Sequence, residues 1–374
     1  MADRQAVRLE EEDAVVPVAQ AKELRQLMNE LLGVPTHLRH DTLREERFRS
    51  LGLAELLVRE SERFEEVSPA KAEDLAELAR MIADQPYPAE LLPLADRILI
   101  RSHSLQANVR RLSRDLHGAE VFFEKALSGL AGRAGAGERG FYCQRLAYLR
   151  EEQGHREESA ALLLYAVDLF REAGAAEGEG ECLCHLGFLA LGENEAGRAS
   201  GFFVRARGLL SPGCLAARCG LGLALCLVAL GQAGAARELW EHSRLPGDVV
   251  PDPRTLLEHD WLEGRLAAVL DEHQEAVGRL NSVRRRLFLQ RRLLDAALCS
   301  LDLARVFVVM ERESRIQELI DDLNRAWPIS FEQARMVVAL TDYRKAAREG
   351  RDLERAALDA MDLIRRPMAI LRKL

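Results

Sequence analysis

Three clusters in this chain hold residue types that could do chemistry. Glu152-x-x-His155 has the helical spacing of half a carboxylate-bridged di-iron site, but it falls at a turn. Neither a second such motif nor the two further Glu residues accompany it. Cys182, Cys184 and His185 offer soft and borderline metal donors, yet residues two apart on a helix do not converge. Cysteine also recurs as Cys219 and Cys299 in the slot that Cys182 occupies, which is the mark of a small core residue. Arg284, Arg285, Arg286, Arg291 and Arg292 form the densest basic run, at a helix end and the following connection. Arginines there meet the helix dipole favourably and keep the face solvated. The rival reading is a patch for an acidic partner. Nucleic acid is argued against, because no aromatics are interleaved as stacking platforms. No phosphate-binding glycine loop, nucleophile elbow or His-Glu-x-x-His motif is present. The sequence therefore assigns no catalytic residue, no metal ligand and no cofactor, and it predicts a protein that is not an enzyme.

What positions these residues is a repeat. A small residue recurs at Ala107, Ala147, Gly187, Ala224, Gly264 and Ala304, with Arg344 in the seventh slot, in steps of 40, 40, 37, 40, 40 and 40. A second small position follows twelve residues later as Ala119, Ser159, Ala199, Ala236 and Ala276, with Ile316 and Ala356 in the last two slots. A bulky residue comes four further on, as in Phe123, Leu163, Phe203, Trp240 and Leu280. Two small residues twelve apart, with a turn between them, lie level on facing sides of two antiparallel helices and let them touch. Midway stand turn-formers or their equivalents: Arg114, Gly154, Asn194, Gly231, Asp271, Glu311 and Arg351. The bulky residue fills the groove toward the next hairpin. Such hairpins cannot bury their faces alone, so they must stack.

This pattern resembles the tetratricopeptide repeat family. The motifs that carry the resemblance are Leu146-Ala147 with Gly154, Ser159 and Ala166; Leu186-Gly187 with Ala199, Phe203 and Ala206; and Leu223-Ala224 with Gly231, Ala236 and Trp240. A period near forty against the family's usual thirty-four adds roughly three residues to each helix. The resemblance implies an all-α fold, a right-handed α-solenoid of about seven TPR-like helical hairpins with an N-terminal helical cap. It also implies a concave groove lined by first-helix residues. Those residues are Asn108 and Arg111; Gln144 and Tyr148; Phe188 and Leu191; Leu221, Leu225 and Val228; Trp261 and Arg265; Leu301 and Arg305.

Along the chain, residues 1–19 are charged and without helical period, and are expected to be a loose tail. Residues 20–89 are expected to be a helical cap. Within it a helix runs over Ala21–Leu32, Thr42 with Glu45 has capping-box spacing, and Ser68-Pro69 starts another helix. The array fills 90–374, and Gly174 to Gly180 and Pro246 to Pro253 read as connections. Composition agrees with helices: 48% hydrophobic, 30% charged and only 5% aromatic over 374 residues. A net charge of −8 argues against wholesale nucleic-acid binding. The acidic N-terminus is unlike an export signal, the longest apolar run is too short for a bilayer, and seven cysteines is an odd number. A cytoplasmic setting follows.

The expected function is a non-catalytic adaptor or regulatory scaffold holding a peptide segment or helix of a protein partner in the groove. The alternatives are a peptide-sensing switch that changes conformation on binding, and an enzyme with an unrecognised site. A second copy of the chain is a further candidate partner, able to cover the groove.

Overall fold

A computed structural model describes residues 18–65, 68–130, 134–242, 253–290, 292–326 and 331–365. Among the described residues there are eighteen α-helices and no strand. The expected tail and the Pro246–Pro253 connection lie outside them, apart from their last residues. The chain folds as two compact units. One runs up to Leu186 and includes Gly208–Leu210; the other comprises Gly187–Arg207 and everything from Ser211 onward.

The first unit opens with α1 (Val18–Gly33), α2 (Thr36–Thr42) and a 3-10 turn at Glu46–Phe48. Thr42 closes α2 rather than capping a later helix, and its hydroxyl donates to the Leu38 carbonyl at 3.1 Å. No helix begins at Thr42 for it to cap, because the next turn starts at Glu46 with Glu45 before it. Helix α3 (Leu51–Phe64) pairs with α4 (Pro69–Ala83), which starts at Pro69 as its fixed φ favours. Next come α5 (Leu92–Leu112) with α6 (Leu116–Leu130), and α7 (Ala136–Glu152) with α8 (Arg156–Ala173). Helix α9 (Ala176–Gly192) starts well before Gly180, so only Gly174 and Ala175 form the connection. Gly178 is helical for a packing reason: a Cβ there would come within 2.9 Å of the Phe170 ring.

In the second unit α10 (Ala196–Leu209) packs Phe203 edge-on against Phe188 of α9, with ring centroids 4.9 Å apart. Then follow α11 (Cys214–Ala229) with α12 (Ala233–His242), α13 (Pro253–Val269) with α14 (His273–Leu289), α15 (Leu293–Val309) with α16 (Ser314–Ala326), and α17 (Phe331–Arg348) with α18 (Leu353–Arg365). First helices touch first helices in order, α11 to α13 to α15 to α17.

The small slots do what their spacing requires. Ala107, Ala147, Ala224, Ala304, Ala119, Ala199, Ala236 and Ala276 are wholly buried. Each of the seven turns closes with the same backbone bond, six residues spanning one loop. It runs from Asp115 to Arg110, His155 to Arg150, Glu195 to Ala190, Gln232 to Leu227, Glu272 to Ala267, Arg312 to Phe307 and Arg351 to Ala346, at 2.7–3.0 Å. The residue before each donor is left-handed: Arg114, Gly154, Asn194, Gly231, Asp271, Glu311 and Gly350. This is the helix-ending motif in which one positive-φ residue satisfies the last carbonyls. In the seventh hairpin the left-handed residue is Gly350 and not Arg351, so the buried Tyr343, one residue before Arg344, holds the first-helix slot. Counting by forty overshoots there because no small residue marks the place.

Candidate partner-binding face

In the first unit, the residues expected to line a groove sit in a buried polar network. Asn108 and Arg111 project from α5 and are buried; the Asn108 amide donates to Glu65 at 2.6 Å, and Arg111 donates to Asn108 Oδ1 at 2.6 Å. Arg111 also pairs with Glu152, which takes Arg114 on its other oxygen at 2.9 Å. From α7, Arg145 reaches Glu65 at 3.2 Å and donates to Gln144 Oε1 at 2.9 Å. Tyr148 donates to Glu181 at 3.0 Å and packs against His185 with the rings tilted and their centroids 4.7 Å apart, and the His185 Nε2 lies 2.6 Å from Glu151. Arg111 and Arg145 approach the Tyr148 ring from either helix, at 5.6 and 5.9 Å.

Burial dominates the electrostatics. It pushes the Glu65 carboxyl up, against the opposing pull of Arg145 and the Asn108 hydrogen bond. Burial also works against the charge of Arg145, but Glu65 and Glu181 together outweigh it and hold that guanidinium firmly protonated. The Tyr148 phenol is raised well above its ordinary range by burial and then by Glu181. Repeat slots do not pick out Glu65, Arg145, Glu181 or His185. The available signal is a charged residue interrupting an apolar helical stripe. Gln144 keeps a buried amide nitrogen with no hydrogen-bond partner among the described residues.

In the second unit the expected residues divide in two. Leu221, Leu225 and Leu301 are buried in the core. Phe188, Leu191, Val228 and Trp261 are half-buried, Arg265 is partly open and Arg305 is exposed. The Trp261 indole donates to Asp302 Oδ2 at 2.8 Å, and Arg265 stands 3.8 Å from the same carboxylate. Arg218 lies over Phe188 at 4.9 Å and pairs with Glu258 at 3.3 Å.

The basic run is mostly spent internally. Arg284 is buried and pairs with Asp322 at 2.8 Å, Arg286 with Asp260 at 2.6 Å and Arg292 with Asp295 at 2.8 Å. Arg285 is exposed, and Arg291 lies outside the described residues. Among the described residues one trio, His259, Asp260 and Glu263, brings potential metal-ligand atoms within 4.8 Å of one another. Arg286 holds Asp260, while Arg279 and the Trp240 indole hold Glu263, so the trio is a node of ion pairs already neutralised by cations. Cys182 and Cys184 are buried, and Glu152 is committed to arginines. No described helix is long and apolar enough to cross a membrane.

No protein-family model matches the chain, and no curated protein is recognisably similar in sequence. Solved structures do match. The Rap protein complexed with competence and sporulation factor superposes with a TM-score of 0.54 at 12% identity, covering 84% of this chain and 87% of that one. The apo form of RapI gives 0.47 at 11% identity over 82% and 85%, and PilF of Pseudomonas aeruginosa 0.41 at 16% over 62% and 90%. At such identities the likeness to the Rap protein is one of fold. The chain has the all-α fold of helical-hairpin repeat proteins, as its spacing predicts.

Proposed function

We propose that this protein is a non-catalytic, cytoplasmic regulatory scaffold that binds a peptide segment or helix of a protein partner on its first-helix face. The observation that carries this reading is that anchor-type residues there stay at least partly open to water, Arg305 fully so. Trp261, Arg265 and Arg305 lie on adjacent first helices, and aromatic and Arg side chains supply most of the energy in protein interfaces. The likeness in fold to a protein solved with a bound factor supports it. A pull-down comparing wild type with Trp261→Ala plus Arg265→Glu tests it. Partner recovery is expected to fall at least tenfold, and unchanged recovery overturns the assignment.

A second reading, a switch that changes shape on binding, is favoured by the network around Glu65. A buried carboxylate at the end of α3, tied to α5 and α7 by Asn108 and Arg145, is satisfied in one arrangement of these helices and costly in others. Small-angle scattering with and without a bound peptide separates the readings: a change in radius of gyration supports the switch, and an unchanged one supports a static scaffold.

A further inference from the structure

The adjacent first helices α13 and α15 carry the same residue types at the same two slots. One residue past the small slot stand Arg265 and Arg305; one turn later stand Val269 and Val309. Both valines face water, at 45% and 63% exposure. Arg305 is exposed and has no carboxylate at ion-pairing distance among the described residues. Among the described residues Arg265 has only Asp302, at 3.8 Å, whose near oxygen already accepts the Trp261 indole hydrogen at 2.8 Å. The contrast with the basic run on α14 is sharp, since Arg284 and Arg286 each hold a carboxylate at 2.6–2.8 Å.

We infer that this face takes an acidic, apolar-flanked segment of the protein partner, with carboxylates on Arg265 and Arg305 and small apolar side chains on Val269 and Val309. The inference rests on the scaffold reading and adds the chemistry of what is bound. Axes of packed neighbouring helices lie about 8–10 Å apart, close to the roughly 11 Å between carboxylates two turns apart on a bound helix. The apolar row lies about 6 Å along the helix axes from the cationic one, so a segment acidic on one edge and aliphatic on the other satisfies both. A cationic segment would face Arg305 with no intervening carboxylate, and like charges at close range are rejected.

Selection of random displayed peptides against the intact chain tests this. Enrichment of Glu and Asp beside Val, Leu or Ile is expected, and binding of an enriched peptide should weaken about tenfold from low to high salt. The doubly reversed variant Arg265→Glu/Arg305→Glu, which alters one partly open and one exposed side chain, should select Lys- and Arg-rich peptides instead. The milder Arg305→Ala should weaken the acidic peptide while leaving the melting temperature unchanged. Enrichment without acidic bias, or the same peptides from the reversed variant, overturns the inference and leaves the scaffold standing. Preferential binding of a single-stranded oligonucleotide, or of a second copy of the chain, also overturns it. No enrichment of any peptide removes the scaffold reading as well.

Discussion

Cys143 and Cys226 carry thiols that burial pushes up to about 11, and burial likewise raises Cys182 and Cys299 well above the ordinary thiol range. Only a thiolate attacks an alkylating reagent, so these groups are slow twice over, by protonation and by access. Iodoacetamide at about pH 8, near the ordinary thiol range, is expected to modify the half-buried Cys214 first in the native protein, as read by peptide mass mapping. Early labelling of Cys182 would contradict its packing. The other residue-scale test concerns Glu65 and Arg145. Removing one member of a buried pair strands the other, so Arg145→Ala should cost about 3–5 kcal/mol, and adding Glu65→Gln should return part of it. The pH dependence follows from the direction of the Glu65 shift. A carboxyl raised on folding contributes its stability in full below the ordinary carboxylate range and loses it as pH climbs through the raised value. Glu65→Gln alone should therefore match wild type in acid and gain on it toward neutrality, measured as the difference in melting temperature. A constant difference would remove burial as the controlling effect. None of this is legible in the sequence, because the Glu65–Arg145 contact joins residues eighty apart and leaves no local spacing to read.

At the scale of the helix, contacts that admit only a methyl group or a hydrogen mark residue type directly, which is why the repeat spacing predicts the hairpins. Phe203 shows the limit. A Cβ on Gly187 would come within 2.7 Å of its ring and one on Gly222 within 2.5 Å, so the ring is held between two helices with no room to retreat. Gly222→Ala gains about 0.8–1 kcal/mol of helix propensity, yet should be destabilising overall, by about 1–3 kcal/mol from overpacking. Ala199→Glu forces a charge into a wholly buried slot on the same helix as Phe203 and should cost more still. Thermal melting checks both, and a wild-type midpoint for either would discredit the packing. Spacing fails where the type constraint lapses. The seventh hairpin has Tyr343 and no alanine in its slot, so the even count points one residue too far. Gly178 reads as a turn former because composition cannot distinguish a glycine that bends the chain from one that clears space for Phe170.

For the molecule as a whole, stacked hairpins exchange energy mainly with their neighbours, so damage in one place need not spread evenly. All three tryptophans, Trp240, Trp261 and Trp327, follow residue 211, whereas helices contribute to far-ultraviolet dichroism from end to end. In urea, Arg145→Ala should lower the dichroism midpoint more than the tryptophan fluorescence midpoint. Coincident shifts would show that the two compact units unfold as one. The proposed partner-binding face is only half readable at this scale: the slots name the candidate residues, but which of them stay open to water depends on side chains contributed by other helices, as Asp302 does to Trp261.

The hairpin turns leave a reserve that selection has not drawn down. Four of the seven place a side-chain-bearing residue, Arg114, Asn194, Asp271 or Glu311, at positive φ, where an L-residue other than Asn or Asp carries on the order of 1–2 kcal/mol of steric burden. Glu311 is exposed at the tip of its loop. Exchange for glycine there would relieve that burden, minus about 0.5–1 kcal/mol of added freedom in the denatured chain. An engineer seeking a hardier form of the protein would begin at Glu311, leaving the cysteines, the ion pairs such as Arg114–Glu152 and the proposed partner-binding face as they stand.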